Sequence, residues 1–127
     1  MIAIFQGTTA KLYDVPRNCK LFRNTLKIVV SNSVDTNVDC FKFVLDYVMT
    51  GTIPTSPDIF NKMYNLLVYL NIPFDIDKFN LEWKLHIISI SDNQSLKKNI
   101  FMNILNNDET FINPTGDSRL VDICSPA

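Results

Sequence analysis

Residues 41–54 read FKFVLDYVMTGTIP, and the fold turns on how that run is read. Phe41, Val44, Leu45 and Val48 recur at helical spacing, flanked by Phe43 and Tyr47, which predicts a mostly buried helix rather than a strand. Gly51 is placed to close it, because glycine lacks the Cβ that disfavours the left-handed conformation ending many helices. Ile53-Pro54 then prevents continuation. A second helix starts at Thr55-Ser56-Pro57-Asp58: Ser56 is the expected cap, Pro57 the first helical residue, and Asp58 suits the positive end of the dipole. Its apolar stripe is Ile59, Met63, Leu66, Leu67 and Leu70, and Asn71-Ile72-Pro73 ends it. The short connector TGTIPTSP predicts that the two helices form an antiparallel hairpin.

Upstream, IAIF (2–5) and AKLYDV (10–15), separated by Gln6-Gly7-Thr8-Thr9, predict a β-hairpin in which Leu12 faces opposite to Tyr13 and Val15 returns to Tyr13's side. Pro16 opens a short helix over 16–26, with Cys19, Phe22 and Leu26 facing inward. KIVV (27–30) is the expected third strand. Ser31-Asn32-Ser33 is turn chemistry, and the helix of the opening stretch begins after Asp35 or Asn37. Downstream, LEWKLHIISIS (81–91) has strand-like content, with Leu81, Trp83, Leu85 and Ile87 alternating. Asp92 or Asn93 caps a helix over 94–106, with stripe Leu96, Ile100 and Ile104 and with Phe101 and Leu105 beside it. FINPTGDSRLVDICSPA (111–127) reads as a turn-rich, fraying tail. No repeat and no long linker divides the chain. The expected class is α+β: a small three-stranded sheet packed on an α-helical hairpin over residues 1–75, with a β/α extension at 76–127 packed on it.

The chain has 127 residues, 46% of them hydrophobic and 20% charged, which suits one ordinary folded domain. A formal net charge of −1 offers no global attraction to phosphate backbones, so nucleic acid is not the expected partner. Lys97-Lys98 and the Arg17, Lys20, Arg23 series read as solvated helical faces. No run approaches the roughly 20 apolar residues of a membrane span, and MIAIFQGTTAKLYD has no signal-peptide pattern. Cys19, Cys40 and Cys124 share no metal or redox spacing; with no secretory signal, an intracellular, reducing setting is expected and Asn93-Gln94-Ser95 is a chance sequon. The richness in Asn, Ile and Lys is a codon bias of AT-rich genomes, as in large DNA viruses or protists.

Catalysis needs converging nucleophiles, acids or bases. The single histidine, His86, lies in an apolar stretch, and a lone histidine there is usually a satisfied structural residue. Nucleophile-elbow, zinc-helix, phosphate-loop and dinucleotide motifs are absent. Asp75 and Asp77 alone make no acid/base pair, and Asp108-Glu109 reads as a solvated loop. No catalytic residue, metal or cofactor is therefore expected.

The order of elements, with "FKFVLDYVMTGTIP" and "LLVYLNIP", resembles the BTB/POZ family. The family's pattern of an aromatic, Leu-Asp-Tyr, an aromatic or aliphatic residue, Tyr or Met, and Thr-Gly corresponds to Phe41, Leu45-Asp46-Tyr47, Val48-Met49 and Thr50-Gly51. A leucine-rich helix closing on Tyr-Leu-x-Ile matches Leu66-Leu67 and Tyr69-Leu70-Asn71-Ile72, and KLYDVPRNCKLFRNTL is similar to the segment that feeds the first helix. His and Ser of the family's H-x-x-L-x-x-x-S are absent, with Asn18, Leu21 and Thr25 nearby. The likeness covers about residues 2–73 and is to the short form, as in elongin C, the cullin adaptors and the potassium-channel tetramerisation domains.

That resemblance implies a non-enzymatic protein–protein interaction domain, serving either as an adaptor to a cullin ubiquitin-ligase scaffold or as a homo-oligomerisation module. For a cullin contact it directs attention to helix 38–50 and the connector 51–57, with Tyr47, Met49 and Ile53 as exposed apolar candidates. For self-assembly it points to the N-terminal strand and first helix. The extension, with Trp83, Phe101 and Met102, is expected to cap the core rather than recruit a second partner. A viral structural or assembly protein and a small enzyme with a dispersed site are the alternatives from other classes.

Overall fold

A single glycine sets the first turn. Strands β1 (Ile2–Gln6) and β2 (Thr9–Tyr13) pair antiparallel, with Gln6 opposite Thr9 and Gly7-Thr8 between them. Gly7 has φ 59° while Thr8 keeps a negative φ, the type II′ pattern whose twist matches that of the strands. A Cβ on Gly7 would also meet Asn32 Oδ1 at 2.6 Å. This computed structural model describes residues 1–107, which divide into a unit spanning Met1–Phe74 and a second beginning at Asp75.

Strand β3 (Lys27–Val30) lies parallel to β1 on its other side, giving the order β2-β1-β3. The protein is thus α+β, with a mixed three-stranded sheet followed by helices. Residues 14–26, which connect β2 to β3, form hydrogen-bonded turns and not the expected helix. The Cys19 N–H donates to the Pro16 carbonyl and the Thr25 N–H to the Phe22 carbonyl, both at 3.0 Å. Short helices are marginal in water, and Asn18, Asn24 and Thr25 compete for the backbone with their own side chains. Cys19 and Phe22 are buried as expected, but Leu26 is 77% exposed.

Alternation divides the sheet into two faces. Ile2, Ile4 and Val30 are buried, and Tyr13, directly across from Ile2, turns its ring to Phe41, 5.2 Å between centroids. Phe22 meets the same Phe41 edge-on at 5.2 Å. On the opposite face lie Ala3, Phe5, Ala10, Leu12 and Val29, placed there by the period-2 pleat.

The opening stretch forms α1 (Phe41–Thr50), preceded by a 3-10 turn, Val38–Cys40, in which Asn37 Oδ1 accepts the Cys40 N–H. Phe41, Val44, Leu45 and Tyr47 are its buried residues, and Val48 is half-buried. Gly51, at φ 75°, donates its N–H to the Tyr47 carbonyl at 2.8 Å, the single bond of a left-handed helix closure. Helix α2 (Pro57–Tyr69) starts at Pro57, but the Ser56 side chain makes no cap; only its carbonyl is used, by the Phe60 N–H at 2.9 Å. Phe60, Met63, Leu66 and Leu67 are buried while Ile59 and Leu70 are half-buried, so the inward stripe is rotated toward Phe60. The helix ends in a Schellman arrangement: Ile72 N–H reaches the Leu67 carbonyl, Asn71 N–H the Val68 carbonyl, and Asn71 itself has φ 59°.

In the second unit a 3-10 turn, Ile76–Lys78, precedes α3 (Leu81–Ile90) and α4 (Gln94–Asn107). Residues 81–91 are therefore helical, which corrects the strand expected there and makes the described extension helical rather than β/α. Asn80 decides it, because its side chain caps the helix by accepting the Trp83 N–H at 2.9 Å, and this local cap prevails over the period-2 alternation of residues 81–87 that argued for a strand. Asn93 caps α4 in the same way through the Leu96 N–H, 3.0 Å, and Leu96, Ile100 and Ile104 are buried as expected. Asn103 Nδ2 ties α4 to Asp77 at 2.6 Å. Asp108-Glu109, the tail 111–127 and Cys124 lie outside the described residues.

A Cβ added at Gly51 would meet nothing within 4 Å, so only backbone strain opposes a side chain there. Gly51→Ala is expected to cost about 1 kcal/mol in urea unfolding and Gly51→Asn less, since Asn tolerates this conformation; equal stability of Ala and Gly would contradict the left-handed closure.

Candidate partner-binding surface

Tyr47, Met49 and Ile53 do not form an exposed apolar triad. Tyr47 is 4% exposed and Ile53 5%, which corrects the expected exposure of both; Met49 is half-buried. Tyr47 follows Val44 by three residues and Phe43 by four, so it shares the inward side of α1. Its ring stacks on Phe74 at 5.2 Å and 23°. Phe74 also meets Phe60 and Tyr64 edge-on, at 6.0 and 5.9 Å. The chain leaving Asn71 thereby lays an aromatic across the helical hairpin and covers what the sequence pattern left open.

Burial governs the titrating groups here. It raises the Tyr64 hydroxyl above its usual 10.0, and it raises Tyr13 as the largest influence, against the opposing charge of Lys11. Burial likewise pushes the Cys40 thiol above its usual 9.0, which describes a packed thiol rather than a nucleophile. Lys11 is held protonated chiefly by its hydrogen bond to Asp39, 2.8 Å.

Among the described residues no group of three His, Cys, Asp or Glu is arranged to hold a metal ion. No helix among them is long and apolar enough to cross a membrane. His86 lies on α3 with its ring edge-on to Trp83 at 5.4 Å. A broad cavity of about 670 Å³ lies between the β1–β2 turn and residues 32–36. Gln6 closes its floor by donating to the Ser31 and Val34 carbonyls at 3.0 and 3.1 Å. Its lining is hydroxyls, amides and one carboxylate, Asp35, without an acid–base pair.

The exposed apolar surface lies elsewhere. Leu12 is 65% and Val29 58% exposed, both on the outer face of the sheet. Val68 and Tyr69 are exposed at the end of α2, beside a groove of about 390 Å³ that Val34, Asp35 and Asn65 complete. The Tyr69 hydroxyl donates to the Val29 carbonyl at 3.1 Å, so α2 leans on the outer edge of β3. In the second unit Trp83, Leu85 and Met102 are exposed and Phe101 is half-buried. The sequence carried a signal for Leu12, which alternates with Tyr13. It carried one for Val68 and Tyr69 as well, since both fall outside the apolar stripe of the second helix. Comparison with family models, curated proteins and solved structures finds no match to this chain.

The raised tyrosine and Cys40 values fix a sign. The folded state holds these protons more tightly than the unfolded chain, so the associated stability is complete below the unfolded values and is lost as pH rises through the folded ones. Urea midpoints should therefore begin to fall near the unfolded thiol value of 9.0 and fall further above about pH 10, the unfolded tyrosine value, where the fall should be less steep in Tyr64→Phe than in the parent. An alkaline limb that is unchanged in Tyr64→Phe would contradict burial as the cause.

Proposed function

We propose that this chain is a non-enzymatic protein–protein interaction domain of the short BTB/POZ type. The observation carrying this reading is the succession of a hairpin, a third strand parallel to its first strand, and two helices closed by Gly51 and Asn71. The sequence Leu45-Asp46-Tyr47 to Thr50-Gly51 occupies the first of those helices and its closure. Exposed Leu12, Val29, Val68 and Tyr69 add apolar surface of the kind that partners cover.

In this reading the chain bridges a target to a cullin scaffold or assembles with copies of itself. For the scaffold contact the usable residues of α1 and the connector are those left at the surface: Met49, with exposed Asp46, Thr50 and Thr52 around it. Tyr47 and Ile53 serve that surface from beneath, by fixing α1 against Phe74 and holding the connector.

Two measurements test this. A mass near 14.6 kDa by light scattering is expected of the adaptor, whereas a stable tetramer or pentamer assigns the domain to self-assembly. With immobilised cullins, binding at about micromolar Kd, weakened roughly tenfold by Met49→Asp, is the expected result. A monomer that retains no cullin overturns the adaptor version.

A further inference from the structure

The connection from β2 to β3 carries charge of one sign. Residues 15–34 hold Arg17, Lys20, Arg23 and Lys27 and no Asp or Glu. A solvated helical face is expected of the first three, but the segment folds into turns, and this places Arg17 and Arg23 at one pocket of about 280 Å³. Local bonds build it. The Cys19 N–H donates to the Pro16 carbonyl and the Thr25 N–H to the Phe22 carbonyl, both at 3.0 Å, while buried Cys19 and Phe22 anchor the segment from below. The Leu26 carbonyl accepts the Ala3 N–H at 3.0 Å, which sets Leu26 beside the start of β1. Met1, Val15, Phe22 and Leu26 supply apolar walls. Phe22 is held edge-on by Phe41, so the wall it forms is fixed in place, whereas Leu26 and Met1 remain 77% and 66% exposed.

Charge decides what fits there. Arg17 and Arg23 are exposed, and neither makes an ion pair among the described residues; the pairs Lys11–Asp39 and Lys62–Asp58 lie elsewhere. Lys27, by contrast, is placed over the Phe5 ring at 5.2 Å. Two guanidiniums at one pocket are too few for a nucleic acid, whose binding draws on about six to ten phosphate contacts. A bilayer is entered by a protruding apolar face, and here the apolar surface is a concavity. We infer that this pocket docks an acidic segment of another protein, seating one aliphatic side chain against Phe22 and Leu26 while carboxylates flanking it pair with Arg17 and Arg23. The planar fork of a guanidinium takes a carboxylate through two parallel hydrogen bonds, and arginine beside an apolar anchor is a common source of binding energy at interfaces. This goes beyond the reading above and uses residues other than those around Met49.

The test titrates the whole chain into a fluorescent peptide, Gly-Asp-Glu-Leu-Glu-Asp-Gly, and follows anisotropy. Saturable binding with a Kd below about 1 mM is expected. Arg17→Gln combined with Arg23→Gln should weaken it at least tenfold while leaving thermal unfolding at the parent value, because exposed, unpaired side chains carry no part of the fold. Replacing the peptide's leucine by alanine should weaken it severalfold, through lost apolar burial. Lys78→Gln combined with Lys98→Gln removes the same charge from exposed positions elsewhere and should change nothing. Absence of saturable binding overturns the inference. So does equal weakening by the two double variants, which means diffuse attraction, or indifference to the leucine, which means that the pocket is unused. Tighter, arginine-dependent binding to vesicles of phosphatidylserine and phosphatidylcholine in equal amounts, or to polythymidine, assigns the surface to a membrane or a nucleic acid and overturns it. A dimer in light scattering that Arg17→Gln with Arg23→Gln dissociates assigns it to a second copy, with the same consequence.

Discussion

Phe41 is the residue on which the first unit depends. It is fully buried, and the rings of Tyr13 and Phe22 both lie 5.2 Å from its own. Three short strands do not hold together without something packed on one face. Phe41 supplies that packing from the first turn of α1, reaching the far strand through Tyr13 and the β2–β3 connection through Phe22. The Tyr13 hydroxyl adds a hydrogen bond to the Val38 carbonyl just before α1. By comparison the exposed Lys11–Asp39 pair is a minor contributor, because water screens it. Outer strand β2 is thus secured from one face only, and its lateral edge carries no part of the fold.

Both helices of the hairpin, their closures, and the third strand follow from short-range chemistry: apolar spacing, Gly51, Pro57, Asn71 and the β-branched run at 28–30. These features act within a few residues and so leave a local trace. Residues 16–26 and 81–91 depart from their expected structure for the opposite reason. In the first, inward Cys19 and Phe22 fit helical spacing, yet burial of two side chains does not require the intervening backbone to coil. In the second, a period-2 alternation over 81–87 pointed to a strand, and the deciding signal was a capping Asn80 one position before the run. The surface was less legible than the core. Tyr47 is hidden by packing on Phe74, which lies well beyond the motif that drew attention to it, and Ile53 is buried as well, whereas Leu12 is exposed because it lies on the outer face of the sheet.

These features combine into a simple division of labour. Aromatic packing lies beneath the sheet and across the helical hairpin, and among the described residues no group of three His, Cys, Asp or Glu is arranged to hold a metal ion. Tyr69 blunts one sheet edge with a side chain from α2. The other edge presents alternate main-chain groups beside a large exposed aliphatic, Leu12.

Native-state hydrogen exchange along residues 9–13 of the free protein addresses this most directly. A strand anchored beneath by Phe41 but open at its side should alternate: Thr9, Lys11 and Tyr13 amides slow, Ala10 and Leu12 amides fast. Uniform protection across all five would mean that the edge is already covered, and uniform rapid exchange would mean that β2 is not held in the sheet; either pattern contradicts the structure of the surface described above.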